Sequence, residues 1–249
     1  MPPTPDQLTT LDVVADLPES LYAQALRLSG VLVERMRRAG HPSRFQLGQP
    51  FVRDHATGEC VPHVSLFMLA VARHEIGAVL DAVSAVAALS PRVRAVGQEY
   101  RHNPQGAPEL WLRLSDRWRA LQRAVVTAVE PLRRGRLRPV DPAGEPITEL
   151  IDRLRREEPS GTRLRQLLTY GYDEIADAAG ERFNPHVTLA WPAEPVPVDL
   201  SGLPAPVDFA GELTHLAVYD MSANGTCTTH YGAFALTGAG VPEHGQPRR

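Results

Sequence analysis

The sequence predicts an α+β fold that contains an internal duplication. The pentapeptide PHVSL at 62–66 recurs as PHVTL at 185–189. Each copy is typical of a short strand, and each is followed after roughly 40 residues by turn residues between two further strands, which predicts a β-hairpin. A motif that keeps the same elements after it indicates duplication more strongly than a repeated pentapeptide alone. Apolar residues at helical spacing elsewhere supply the α component.

The first half of the chain begins with a strand and a helix. The segment 11–17 is short and rich in β-branched residues, which predicts a strand. Apolar residues then recur at helical spacing, which predicts a helix over 19–39 that ends at Gly40. A buried strand is predicted over 63–72, and a helix that packs on a sheet is predicted over 74–89.

Two hairpins and a second set of helices complete the predicted elements. The first hairpin joins RVRAVGQEY to ELWLRL through the turn residues HNPQG, and a helix follows over 118–132. The motif strand of the second half, 183–191, is expected to end at Pro192, where a proline-rich loop begins. The second hairpin joins LTHLAVYDM to YGAFALTG through SANG.

The region 133–165 between the two halves is rich in arginine. We expect it to be a connector with a short polar helix, followed by a helix that breaks near Gly171. Its run RRGRLR either guides a nucleic-acid backbone or forms a solvated helix end. The chain is therefore expected to have a flexible N-terminus at 1–9, one domain over 10–237 and a disordered tail at 238–249.

Composition limits the chemistry that the chain can perform. The formal net charge is −3, and all 26 basic residues are arginine, so a Schiff-base or general-base lysine is excluded. The two cysteines, Cys60 and Cys227, lack the spacing of a disulfide framework or a zinc site. The N-terminus lacks the features of a signal peptide, and no apolar run is long enough to span a membrane. We therefore expect a cytoplasmic monomer with no membrane association and no obligate protein partner.

The repeated pentapeptide places polar residues on one side of a strand. Residues i and i+2 of a strand point to the same face, so His63 shares a face with Ser65, and His186 shares a face with Thr188. The valine and leucine of each copy point to the opposite face, toward the core. If the halves pack around a pseudo-twofold axis, the two polar sides can face each other across a cleft.

Two opposed imidazoles suit acid–base catalysis, because the unperturbed pKa of histidine is about 6.5. One neutral imidazole can take a proton from an attacking oxygen, while the other, protonated, gives a proton to the leaving oxygen. The hydroxyls of Ser65 and Thr188 can bind the charged oxygens of a phosphodiester held between them. We therefore expect His63 and His186 to be catalytic and the two hydroxyls to bind phosphate. The pattern does not decide which histidine is the base.

Two H-x-[S/T]-x motifs separated by about half a chain resemble those of the two-histidine (2H) phosphoesterase superfamily, which includes the bacterial 2′-5′ RNA ligase-like proteins and cyclic nucleotide phosphodiesterases. The resemblance covers 10–237. It implies a bilobal, pseudo-twofold α+β fold with helices packed outside antiparallel sheets and the motifs in a central cleft. It also implies metal-independent phosphodiester chemistry without a cofactor, carried by His63, Ser65, His186 and Thr188. The connector 133–165 is longer than the simplest members need.

Two further side chains are candidate substrate contacts. Phe67 shares strand parity with His63 and could stack on a base, although such a residue is more often part of the core. Asn184 shares the parity of His186 and either lines the cleft or ends a turn. Trp191 has the opposite parity and is expected in the core.

The expected function is that of a phosphodiesterase that opens a 2′,3′-cyclic phosphate at a nucleotide or RNA end. Two alternatives stay open: a module that binds a nucleotide or RNA end with vestigial chemistry, and an enzyme that uses the same cleft for a small non-nucleotide metabolite. The net charge of −3 keeps the last alternative open, because a protein that binds long RNA is usually more basic.

Overall fold

The computed structural model describes residues 7–53, 56–158, 161–178 and 180–239. Within those ranges the α-helices are α1 (Glu19–Arg38), α2 (Ile76–Leu89), α3 (Asp116–Val129), α4 (Ile147–Glu157) and α5 (Thr162–Tyr170). The strands are β1 (Leu8–Asp16), β2 (Ser43–Gln46), β3 (Pro50–Arg53), β4 (Ala56–Glu59), β5 (His63–Ala72), β6 (Val93–His102), β7 (Pro108–Leu112), β8 (Ala176–Asp177), β9 (Gly180–Glu181), β10 (His186–Thr188), β11 (Ala190–Pro192), β12 (Ala210–Leu213), β13 (His215–Met221) and β14 (Cys227–Ala235).

Two four-stranded antiparallel sheets form the framework of the protein. The first has the strand order β14-β13-β1-β5, and the second has the order β10-β7-β6-β12. The histidines of the two motifs are the first residues of β5 and β10, and each of these strands lies at an edge of its sheet. Because β5 and β10 contact each other, the two motifs meet where the sheets meet.

Each hairpin joins the sheet that holds the other motif. The β6–β7 hairpin follows β5 in the chain, yet β7 pairs with β10. The β13–β14 hairpin follows β10, yet β13 pairs with β1, which is the neighbour of β5. Each sheet therefore contains strands from both halves of the sequence. The predicted α+β class with antiparallel sheets is confirmed, whereas the pseudo-twofold relation stays a prediction.

Apolar faces hold the helices on the sheets. α1 buries one face at the predicted helical spacing, formed by Leu21, Ala25, Leu28, Leu32 and Met36. α2 packs on β13 and β14, and α3 packs on β5 and α2. The Ser115 side chain begins α3 by accepting a hydrogen bond from the backbone N–H of Trp118. The helices thus support β5, and with it the first histidine motif.

The single strand predicted over 183–191 is wrong, because two short strands replace it. β10 pairs with β7 in the second large sheet, whereas β11 pairs with β2 in a separate two-stranded sheet. Pro192 is the last residue of β11 rather than the residue after a strand, a terminal position at which its missing N–H is tolerated. The sequence pattern also fails to predict six further short strands of two to four residues: β2, β3, β4, β8, β9 and β12.

The ordered domain is longer than the predicted range 10–237. β1 begins at Leu8, inside the segment expected to be flexible. The backbone N–H groups of Thr237 and Gly238 donate to the carbonyl oxygens of Ala87 and Ser90 at 3.2 and 2.9 Å. Residues 1–6 and the remainder of the predicted tail, 240–249, lie outside the described residues.

The described part of the arginine-rich region 133–165 contains the predicted short polar helix, α4, and the beginning of α5. α4 and α5 pack together around a small apolar cluster of their own, formed by Ile147, Leu150, Ile151, Leu154, Leu164 and Leu167. α5 ends, as predicted, at Gly171, whose φ of 69° lies in the left-handed region that favours glycine. In the described part of the chain, no helix is long and apolar enough to cross a membrane.

Candidate active site

One cavity of about 170 Å³ is lined by both histidine motifs. His63 and Ser65 reach it from β5, and His186 and Thr188 reach it from β10. The two motifs are far apart in the sequence, and the contact between the two edge strands brings them together. The cavity is therefore the place where the two motifs can act on one molecule.

The two imidazoles are oriented in the same way. Nδ1 of His63 lies 2.7 Å from the carbonyl oxygen of Val61, and Nδ1 of His186 lies 2.8 Å from the carbonyl oxygen of Asn184. A carbonyl oxygen can only accept, so each Nδ1 carries the hydrogen and each neutral ring has its lone pair on Nε2. In both motifs the acceptor is two residues before the histidine.

Nε2 of His63 faces a buried polar cluster. It lies 3.8 Å from Oδ2 of Asp12 and 3.6 Å from Sγ of Cys227. Oδ2 of Asp12 also accepts a hydrogen bond of 2.6 Å from the Ser65 hydroxyl. Asp12 is on β1, the strand that pairs with β5, and it is fully buried. One buried carboxyl group therefore contacts both polar residues of the first motif.

Burial moves the pKa values of this pair away from their ordinary values. It raises the pKa of Asp12 to about 7, although the hydrogen bond from Ser65 opposes the shift. It lowers the pKa of His63 to about 4; the hydrogen bond to the Val61 carbonyl opposes this shift, and the neighbouring His186 adds to it. At neutral pH, His63 is therefore a neutral imidazole, and its Nε2 can accept a proton.

His186 has a different electrostatic environment. Its Nε2 lies 3.8 Å from Oε1 of Glu109, and Oε2 of Glu109 accepts a hydrogen bond of 2.8 Å from the Trp111 indole. Burial acts to lower the pKa of His186, but the negative charges of Glu109 and Glu174 outweigh burial, so the pKa is raised. His186 is thus the imidazole that keeps its proton to higher pH. Two histidines whose pKa values are pushed apart suit the roles of base and acid.

The two hydroxyls have different partners. Ser65 donates to Asp12 when that carboxyl group is ionised. When Asp12 is protonated, its own O–H can donate to the Ser65 oxygen, and the serine hydrogen becomes available to an anion. Thr188 pairs in register with Glu109, so its side chain is on the same face of the second sheet as that carboxyl group.

Phe67 lies away from the cavity, which corrects the prediction that it contacts substrate. The register between β1 and β5 shifts, so that Val13 pairs with Phe67 whereas Val14 pairs with Ser65. This β-bulge turns Phe67 to the opposite face of the sheet, where it is fully buried in the core. Met68 lies instead on the face of Ser65 and lines the cavity.

Asn184 is not among the residues that line the cavity. Its side-chain amide donates to the backbone carbonyl oxygen of Arg182 at 3.0 Å, and the backbone carbonyl oxygen of Asn184 accepts from Nδ1 of His186. Asn184 therefore orients the second histidine, which agrees with its place in the turn before β10 rather than with the predicted substrate contact.

Part of the cavity wall comes from residues outside the two motifs. The region 133–165 contributes Arg138 and Asp141, and the segment after α5 contributes Tyr172 and Glu174. Trp191, expected in the core, also lines the cavity, because the break between β10 and β11 interrupts the alternation of faces. The high arginine content of the connector suggested a contact with a charged ligand, but it did not indicate which arginine lies in the cavity wall.

One group of side chains in the described residues has the residue types of a metal site. Ligand atoms of Asp12, His63 and Cys227 lie within 4.8 Å of one another. Metals bind the thiolate and carboxylate forms, whereas burial raises the pKa of Asp12 to about 7 and the pKa of Cys227 well above its ordinary value. Asp12 and Cys227 are also not among the residues that line the cavity. We therefore assign the cluster to positioning His63, and a metal-independent reaction stays a prediction.

Comparisons with known proteins give structural relatives. No family model and no curated protein matches the chain. The solved structure of TT0787 from Thermus thermophilus matches with a TM-score of 0.51 and 18% identity, over 92% of this chain and 98% of that chain. Structures of E. coli LigT complexed with NADP+ and with 3′-AMP match with TM-scores of 0.48 and 0.46 and identities of 16% and 14%, over 93% of this chain and 99% of LigT. At these identities the likeness concerns the fold alone.

Proposed function

We propose that this protein is a metal-independent phosphodiesterase of the two-histidine type that opens a 2′,3′-cyclic phosphate at a nucleotide or RNA end. The proposal is carried by the placement of two imidazoles, fixed as the same tautomer, in one cavity with a hydroxyl from each motif. The opposite pKa shifts of the imidazoles support it, because a general base and a general acid need different protonation states.

In the proposed reaction His63 is the base and His186 is the acid. Nε2 of His63 takes a proton from water as the water oxygen bonds to phosphorus. The bond between phosphorus and one ribose oxygen breaks, and His186 gives its proton to that oxygen. The product is a phosphomonoester with a free ribose hydroxyl. His63 has then gained one proton and His186 has lost one, so exchange with solvent restores both rings.

The size of the cavity favours a small reacting group. Its volume of about 170 Å³ is below the range of about 300–1,000 Å³ of pockets that enclose drug-sized ligands. A phosphate with its ribose edge can enter, while the base and any further nucleotides stay toward the opening. This favours the end of a nucleotide or RNA over an internal phosphodiester.

A ³¹P NMR time course tests the proposal. The protein, treated with EDTA, is mixed with the four 2′,3′-cyclic nucleotides and with a short oligonucleotide that ends in a 2′,3′-cyclic phosphate. Conversion of the cyclic resonance to a monoester is expected, and its position identifies the oxygen that leaves. Loss of either imidazole, in His63→Ala or His186→Ala, should slow turnover by about 10²–10⁴-fold.

His215→Ala is the matched control, because His215 also begins a strand but is exposed and is not among the cavity-lining residues. It should turn over substrate at the wild-type rate. Wild-type turnover by both His63→Ala and His186→Ala would contradict the proposal. Nucleotide binding without turnover by the wild type would favour a binding module, and neither binding nor turnover would favour a small non-nucleotide metabolite.

A further inference from the structure

Arg138 is a buried cation in the wall of the cavity that contains both histidines. Its side chain is only 1% exposed, compared with 11% for His63 and 19% for His186, so the guanidinium lies deeper than the imidazoles. Arginine stays protonated in proteins, so this position carries a full charge away from water. Burying such a charge is costly unless strong partners surround it.

The protein provides Arg138 with weak partners. Nη1 donates to the thioether sulfur of Met68 at 3.2 Å, and Nη2 lies 4.0 Å from Oδ1 of Asp173, whose other oxygen is bonded at 2.6 Å by Arg163. Cζ lies 5.5 Å from the centre of the Tyr172 ring, a cation–π contact that leaves the N–H groups unsatisfied. Nε is buried and has no hydrogen-bond partner among the described residues. No oxygen of the described residues accepts a hydrogen bond from this guanidinium.

Arg133 shows how the same region satisfies an arginine whose role is structural. Its side chain is 5% exposed, and it is not among the residues that line the cavity. Its terminal nitrogens donate to the carbonyl oxygens of Arg136 and Thr169 at 2.7 and 2.9 Å and to the carboxylate of Glu130 at 2.9 Å. Nε of Arg133, like Nε of Arg138, is buried without a hydrogen-bond partner among the described residues. The two arginines therefore differ at their terminal nitrogens, which donate to oxygen atoms in Arg133 but to no oxygen of the described residues in Arg138.

We propose that Arg138 binds the charged oxygens of the phosphoryl group that the two imidazoles hold. The identity of the ligand rests on the function proposed above. Met68, which contacts Arg138, follows Ser65 on the same face of β5, so the guanidinium approaches the phosphate from the side of the Ser65 hydroxyl. A planar guanidinium matches two phosphate oxygens at once. The guanidinium would place positive charge beside the phosphoryl oxygens, which carry the negative charge during phosphoryl transfer.

The acidic groups nearest this guanidinium do not neutralise it fully. Burial raises the pKa of Asp12 to about 7, so this carboxyl group resists ionisation, although the charge of Arg138 opposes the shift. Asp173 is shared with Arg163. An anion in the cavity would thus meet a buried positive charge that the described residues compensate only in part.

Thermal unfolding with and without inorganic phosphate tests the proposal independently of turnover. Phosphate should raise the unfolding temperature of the wild type and leave Arg138→Met unchanged. Without phosphate, Arg138→Met should unfold at a higher temperature than the wild type, because the variant no longer buries an unpaired charge. Arg133→Met should unfold at a lower temperature, because it breaks satisfied bonds. Arg138→Lys keeps the charge without the planar fork and should show a reduced phosphate effect.

Turnover of a 2′,3′-cyclic nucleotide gives the second measurement. Arg138→Met is expected to lower kcat/KM by about 10²–10³-fold, with part of the loss restored in Arg138→Lys. If both Arg138 variants keep the wild-type phosphate effect and wild-type turnover, the proposal is overturned. It is also overturned if phosphate fails to stabilise the wild type. If phosphate stabilises the wild type through Arg138 but no cyclic phosphate is opened, the anion site stands and the proposed phosphodiesterase function fails.

Discussion

Nε2 of His186 lies 3.8 Å from Oε1 of Glu109, which the neighbouring strand β7 presents to it. Nε2 of His63 lies at the same distance of 3.8 Å from Oδ2 of Asp12 on β1. Each imidazole therefore has one carboxyl group from the adjacent strand. Their pKa shifts nevertheless have opposite signs, because burial dominates at His63, whereas the charges of Glu109 and Glu174 outweigh burial at His186.

Glu109→Gln should weaken the acid without disturbing its surroundings. Glutamine keeps an oxygen that accepts from the Trp111 indole but removes the charge that raises the pKa of His186. We expect kcat/KM above neutral pH to fall by roughly tenfold, with the alkaline limb of the pH profile moved to lower pH. NMR titration of the His186 ring should show its pKa moving down. Glu212→Gln, on the exposed strand β12, should leave the profile unchanged; an unchanged profile in Glu109→Gln would contradict the assignment.

The pH profile of the wild type should have an unusual acid limb. His63 must be neutral to accept a proton, and its pKa is lowered to about 4. Activity should therefore persist well below pH 6.5, the ordinary pKa of histidine, and fall as the pH approaches about 4. Initial rates at subsaturating substrate between about pH 3.5 and about 9 measure this limb. An acid limb near pH 6.5 would show that burial does not depress the pKa of the base.

Asp12→Asn should stabilise the folded protein at alkaline pH. Because the folded-state pKa of Asp12 is raised from 3.8 to about 7, folding favours its protonated form. Its contribution to stability is full below pH 3.8 and is lost as the pH rises through about 7. The amide stays neutral and can still accept from Ser65, so we expect a gain on the order of 2 kcal/mol at pH 8.5 and little change at pH 4.

Urea unfolding at the two pH values measures this difference. Asp116→Asn, in the exposed first turn of α3, is the control and should not show it. A loss of stability in Asp12→Asn at the alkaline pH would mean that the carboxylate form contributes favourably to the fold.

Because of the bulge in β5, we expect substitution of Phe67 to affect stability and substitution of the next residue, Met68, to affect substrate binding. Phe67→Leu should reduce the free energy of unfolding by about 1–3 kcal/mol, because it removes buried apolar volume from the core. It should leave KM unchanged, since Phe67 does not line the cavity. Met68→Ala should change KM, because Met68 lines the cavity and contacts Arg138. Urea unfolding and steady-state kinetics measure the two properties. A changed KM in Phe67→Leu with an unchanged KM in Met68→Ala would place Phe67 on the cavity face.

The local sequence was sufficient for the elements whose pattern is strong. β5 occurs at the predicted residues 63–72, and α1 spans Glu19–Arg38, within the predicted range. Helical spacing in α1 and a continuous apolar run of strand length in β5 leave few alternatives, because each pattern fits one type of element. The alternation of faces along a strand misplaced Phe67, since a single bulge reverses every face assignment after it and leaves no mark in the residue pattern.

Local periodicity and residue type were enough to predict the α+β class, the strand β5 and the four polar residues that line the cavity, His63, Ser65, His186 and Thr188. The packing of the whole chain gives the two imidazoles pKa shifts of opposite direction, since their pKa values depend on burial and on charges from other strands. It also settles that each hairpin joins the other motif's sheet and that Arg138, one of several similar arginines, lies in the cavity. Burial and pairing between distant segments arise only when the chain is folded, and no local pattern encodes them.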